Sequence, residues 1–160
     1  MNWPYIHTLI NHFPIILSVV GAAVLLAALI WRSRGVWLYA VATLTLSGLS
    51  AYPAHFTGDQ AAHSLRHTWY VVRAMVEKHD QSAGPALISL LVMGAVAAYT
   101  WWRMLKREPG MLPPVWLRTV LAIVTAVALG FTTYAAYLGG QIVHDSPQLA
   151  APPAGAIPAP

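Results

Sequence analysis

Histidine is the side chain whose number and placement in this chain suit chemistry: seven are present among 160 residues, and cysteine is absent. Five stand at the ends of apolar runs, with His7 and His12 before the first, His55 ending the second, His79 before the third and His144 ending the fourth. A neutral imidazole can ligate haem iron, copper, zinc or non-haem iron through one ring nitrogen while the other nitrogen is oriented by a nearby acceptor. The missing cysteine excludes disulfides, iron–sulfur clusters, covalent c-type haem attachment and thiol catalysis by this chain. Redox chemistry here would therefore use histidine.

Whether these residues meet depends on the elements that carry them. Of the residues, 58% are apolar and only 9% charged, where a soluble domain carries roughly one quarter charged. Apolar stretches over 13–31, 36–52, 85–102 and 115–138 are each close to the roughly 20 residues that cross ~30 Å of hydrocarbon. The expected fold is an all-α membrane protein, a four-transmembrane-helix bundle with spans of about 13–31, 36–55, 82–103 and 114–141 within a domain covering 1–145. The first basic residue, Arg32, follows the first run rather than preceding it, unlike a cleavable signal peptide, so that run is expected to be retained.

Charge sets the expected orientation. Arg32, Arg34, Arg103, Lys106, Arg107 and Arg118 flank one side of the spans, against Arg66, Arg73 and Lys78 on the other. The positive-inside rule places the six-charge side in the cytoplasm. Both termini and all seven histidines then face outward. The net charge of +4 comes mainly from these loops, so nucleic-acid binding has little support.

The connector 56–81 carries Leu65, Trp69, Val72 and Val76 at helical spacing, with Arg66, Arg73, Glu77 and Lys78 around the rest of the turn. That pattern predicts an amphipathic interfacial helix whose apolar stripe continues to His79. Gly84-Pro85 predicts a break before the third span. The uncharged Pro- and Ala-rich segment 146–160 is expected to be a flexible tail.

Local spacing narrows the candidates. His7 and His12 lie about 140° apart on a helix, so one can point inward. His12 and His79 are the favoured pair. Gly48, Tyr52 and His55 recur at steps of four and three, as do Gly130, Thr133, Tyr137, Gly140 or Gln141, and His144. These small or polar stripes ending in histidine suit a cofactor pocket lined by Tyr52 and Tyr137. Glu77, Asp80 and Asp145 could orient the free ring nitrogens or complete a metal shell.

Haem b, with two imidazoles on opposite faces of its iron, and a non-haem copper, zinc or iron centre both satisfy this pattern. Histidines that merely meet water and headgroups at the interface satisfy it too. There is no His-Glu-x-x-His, and His63 and His67, four apart, lie on the connector with no third ligand. Trp3, Trp31, Trp37, Trp101, Trp102 and Trp116 fit an aromatic belt. No residue is assigned a catalytic role.

The opening His7-Thr-Leu-Ile-Asn-His12-Phe-Pro14-Ile resembles the H-P-x-x-V-H-F-P-[IL] start of a family of small four-span bacterial membrane proteins called DUF2231. Three further segments agree with that pattern: Phe56-Thr-Gly-Asp-Gln-Ala-Ala62, Val76-Glu-Lys-His79-Asp80 and Tyr137-Leu-Gly-Gly-Gln-Ile-Val143. His7, His12, Gly58, His79, Gly139 and Gly140 occupy motif positions. Thr8 stands where the family has proline, and His55 and His144 are outside the motif.

Related domains occur fused to Rieske-type or cytochrome modules, so the resemblance implies respiratory electron transfer in a bacterial inner membrane. The expectation is a haem b subunit linking the quinone pool to an extracytoplasmic cytochrome or iron–sulfur protein, working with other subunits of a redox complex in membrane lipid. His12 and His79 would be axial ligands, His55 and His144 a second pair or proton and quinone ligands, and His7 a further candidate. A non-haem copper or iron site and a structural anchor of a larger complex are the alternatives. A transporter is disfavoured, because neither a charge nor a break falls at a span's midpoint.

Overall fold

In hydrocarbon a backbone must satisfy its own polar groups, so long apolar runs become helices. The computed structural model describes residues 2–65, 73–108 and 110–144, and the elements it contains are α1 (Trp3–Ile10), α2 (His12–Trp31), α3 (Arg34–Leu65), α4 (Arg73–Leu105) and α5 (Val115–His144). Four helices are long and apolar enough to cross a membrane: Trp3–Trp31, Arg34–Leu65, Arg73–Leu105 and Val115–Ile142. The architecture is an up-and-down helical bundle. Apolar side chains such as Ile16, Leu26, Leu49, Ile88 and Ile123 cover its outside, where lipid would meet them.

The first span starts under control of Asn2, whose side-chain oxygen accepts from the Tyr5 amide at 3.3 Å. Pro14 has no N–H to offer the Ile10 carbonyl, which interrupts the hydrogen-bond ladder between α1 and α2, while Asn11 keeps right-handed helical angles (φ −63°, ψ −21°) and the two run on as one span. Arg32 ends α2 in a left-handed conformation, its amide reaching the Ala28 carbonyl at 3.0 Å. A turn this short makes α2 and α3 antiparallel neighbours.

α2 packs along α3, α3 along α4 and α4 along α5, while α5 closes the ring on α2 over a shorter contact. Up-and-down order collects Arg32, Arg34, Arg103, Lys106, Arg107 and Arg118 at one end and the histidines of α1, α3, α4 and α5 at the other.

The interior changes character between these ends. The arginine end is filled by Trp37, Val41, Leu44, Met93, Met104, Leu117 and Leu121. Arg34 latches it by donating to the carbonyls of Met104 (2.7 Å), Met111 (3.0 Å) and Glu108 (3.5 Å). Arg118 lies over the Trp37 ring, 5.9 Å from its centroid, and donates to the Pro113 carbonyl at 2.6 Å. Trp37 thus belongs to the core rather than to an aromatic belt. Towards the histidine end the inward residues are small or hydroxylic: Ser18, Ser47, Ala51, Ser82, Ala86 and Ala135. Between the two, a Cβ on Gly48 would fall 2.7 Å from the Gly94 Cα, so α3 and α4 meet backbone to backbone.

Two expectations change. Residues 56–65 continue α3 and 73–81 open α4, so the connector forms no separate helix among the described residues; Arg66, Trp69 and Val72 lie outside them. α4 also runs through Gly84-Pro85 without a break. Proline removes one N–H, and the chain keeps its helical course around the gap. The tail 146–160, Asp145 and His67 also lie outside the described residues.

Candidate functional site

At the histidine end the rings of His7 and His79 meet edge-on, with centroids 6.4 Å apart and planes at 61°. His7 comes from α1 and His79 from the first turns of α4. Each is half-buried and each leans on a different helix.

The two docking arrangements repeat. His7 Nδ1 lies 3.1 Å from the Ala54 carbonyl of α3, with Thr57 Oγ1 at 3.3 Å, and His79 Nδ1 lies 3.0 Å from the Ala135 carbonyl of α5. A carbonyl can only accept, so both Nδ1 atoms carry the proton and both Nε2 atoms keep a free lone pair. Four residues beyond each acceptor stands a glycine against the ring. A Cβ on Gly58 would sit 3.1 Å from His7 Cε1, and one on Gly139 would sit 3.2 Å from His79 Cε1. Each helix hairpin therefore presents one imidazole from its first span, seated on an Ala-x-x-x-Gly turn of its second.

The other candidates are placed differently. His12 is exposed and its Nδ1 donates to the Thr8 carbonyl of its own chain segment at 2.6 Å. His144 is exposed at the last residue of α5. His55 is half-buried on the flank of α3, with Nε2 3.8 Å from Asp59 Oδ2. Tyr52 and Tyr137 are 62% and 63% exposed and face outward, Tyr137 accepting from Gln141 Nε2 at 3.1 Å. Glu77 and Asp80 are exposed.

The cause of the tyrosine placement is one of phase. On α3 the inward stripe is Ser47, Ala51, Ala54, Gly58 and Ala61, with Gly48 buried against α4, and not Tyr52 and His55; on α5 it is Thr132, Ala135 and Gly139, not Thr133 and Tyr137. One residue of offset rotates a helix by about 100° and exchanges one stripe for its neighbour. The large amphipathic tyrosines take the outside, where ring and hydroxyl can both be accommodated.

No three His, Asp or Glu side chains converge as metal ligands among the described residues. A bare ion at the ring pair would therefore receive two donors from the chain. The two rings meet edge-on at a centroid separation of 6.4 Å. The small interior residues lie beneath the pair. The hydroxyl of Thr132 is buried without a hydrogen-bond partner, a condition shared by the Thr125 hydroxyl in the middle of α5, the Asn11 side-chain oxygen and, at the arginine end, Trp37 Nε1. Buried polar atoms of this kind call for a guest or a water.

Two grooves open elsewhere on the bundle, of about 210 Å³ along Thr45, Gly48, Leu91 and Gly94 and about 440 Å³ along Pro85, Ile88, Val92, Val124 and Phe131. Neither is lined by a histidine. No protein-family model, curated protein or solved structure matches the chain.

Proposed function

We propose that this chain is an electron-transfer subunit of a bacterial inner membrane, holding a b-type haem between His7 and His79 near the extracytoplasmic face. The observation that carries the reading is the adjacent pair of imidazoles, each with Nδ1–H tied to a backbone carbonyl and Nε2 left free. Such an acceptor fixes the ligand's tautomer and raises its basicity. A group that needs only two protein ligands fits a site with only two, and the porphyrin would supply the other four nitrogens.

The chain's own contributions follow from the geometry. His7 and His79 hold and orient, Ala54 and Ala135 lock the rings, and Gly58 and Gly139 leave space for them. Small residues below the pair suit a flat guest between diagonal helices, and the unpartnered Thr132 hydroxyl lies at the same end. A haem bound there would supply reversible one-electron transfer. The half-exposed position of the rings favours exchange with a quinol in lipid or with an extracytoplasmic redox protein. The six basic residues at the opposite end favour a cytoplasmic location for that end.

The test is a reduced-minus-oxidised visible spectrum of the purified full chain produced with haem available, with metal analysis on the same sample. A b-type spectrum lost in both His7→Ala and His79→Ala and kept in His12→Ala is the expected result. Retention in either ring-pair variant, or loss only in His12→Ala, would overturn the assignment. Intact protein with neither colour nor stoichiometric metal would leave a membrane anchor.

A further inference from the structure

We infer that the flank of α3 carries a second site, for a borderline divalent transition ion such as Zn²⁺, Ni²⁺ or Cu²⁺, with Asp59 and His55 as the chain's two ligands. The inference does not depend on the haem reading, because it uses neither His7 nor His79.

The sequence places His55, Asp59 and His63 at successive steps of four, and α3 is continuous through Leu65. Each step advances the helix by about 6 Å and rotates it by about 40°, so the three side chains form one slowly turning stripe. Ala54, Thr57 and Ala61 mark the buried face of the same turns. The stripe accordingly runs from the flank of the helix at His55 to its outward face at His63, which is exposed.

Within the stripe, His55 Nε2 and Asp59 Oδ2 are turned towards each other at 3.8 Å. That is too long for a hydrogen bond. It suits two ligands of one ion: bonds of about 2.0–2.2 Å from an imidazole nitrogen and a carboxylate oxygen leave the donors ~3–4 Å apart. The side chains are 27% and 48% exposed, so an ion can enter from water and keep its remaining coordination positions for water or a donor from another molecule. An imidazole with a carboxylate selects zinc, nickel or copper over magnesium or calcium, which prefer all-oxygen shells.

His63 lies one turn beyond Asp59 but two turns, about 12 Å, from His55, too far for both imidazoles to join Asp59 comfortably on one ion. Asp59 already faces His55, so His55 is the partner and His63 an alternative of lower affinity.

The test is calorimetric titration of the full chain in detergent with Zn²⁺ alone, with helix content checked by circular dichroism. One equivalent bound, weakened at least tenfold by His55→Ala and by Asp59→Asn and less than threefold by His63→Ala, is the expected outcome. His7→Ala and His79→Ala should leave this binding in place. Unchanged uptake in folded His55→Ala and Asp59→Asn, or no uptake by the wild-type chain, would overturn the site. Loss confined to His7→Ala and His79→Ala would do the same and move the ion to the ring pair. Since both substituted side chains are partly exposed and neither supports the core, folding of the variants is expected.

Discussion

The two ends of this bundle are built on opposite principles. At the arginine end bulky side chains fill the interior and charged groups spend their donors on the chain's own carbonyls. Arg34 ties the end of α4 to the loop after it, and Arg118 covers Trp37. At the histidine end the interior side chains shrink to serine, alanine and threonine, glycines admit two rings, and both rings retain an unused nitrogen. The first end is closed by bulky side chains and arginine donors, with Trp37 Nε1 as its one buried side-chain atom lacking a hydrogen-bond partner among the described residues. The second has donor capacity left over, and leftover capacity at a half-buried position is what a ligand site requires.

If the arginine end is the structural one, substitutions there should lower stability without altering what the histidine end binds. Trp37→Ala is expected to have the largest effect, about 3–5 kcal/mol, because a fully buried indole is lost and Arg118 loses its platform. Denaturation of the purified chain in detergent measures it. A cofactor spectrum that survives in the folded fraction would support the division of labour, whereas selective loss of cofactor from stable protein would break it.

Next comes Arg34→Ala, expected to cost about 1.5–3 kcal/mol, since a charged donor is removed from carbonyls of Met104 and Met111. Arg34→Lys should recover only part, because one ammonium cannot span the fork's positions. Comparing unfolding midpoints for the pair separates geometry from charge. Gly48→Val should cost about 1–3 kcal/mol by forcing α3 and α4 apart at their backbone contact with Gly94, and the same melting series reads it.

The smallest stability effects, and the sharpest test of the comparison, belong to Gly58→Ala and Gly139→Ala. Each new methyl meets a ring at 3.1–3.2 Å, so the ring must move by a few tenths of an ångström while the fold need not. Stability should change by less than about 1 kcal/mol, but the spectrum or ligand affinity should shift, and by similar amounts in the two variants because the seats are alike. A shift in one alone would show that the hairpins are not equivalent.

The spans were legible because hydropathy over a run of this length has one physical solution in lipid, and the gathering of histidines at one end followed from the alternating direction of successive helices. His79 was among the candidates the sequence offers, although the stripe that singled it out runs through Trp69 and Val72, which lie outside the described residues. The partner was harder. His7 and His12 differ by about 140° of rotation, and which one meets His79 depends on which face of the first span packs on α3. The seats were missed because Ala54 and Ala135 act through backbone carbonyls, which carry no residue signature. The signal that could have found them is the recurrence of Ala-x-x-x-Gly at 54–58 and 135–139, one on the second helix of each hairpin.

By itself, then, the sequence determined the four apolar spans and the segregation of basic residues from histidines, since these depend on composition and on distances along the chain; it did not give the helix lengths, because α3 runs on to Leu65 and α4 starts at Arg73, well beyond the apolar runs. Only the tertiary structure decided which face of each helix turned inward, and with it the pairing of His7 with His79 and the outward placement of Tyr52 and Tyr137. Helix phase is set by how neighbouring helices pack. A rotation of one residue exchanges two chemically similar stripes and leaves local sequence preferences almost unchanged.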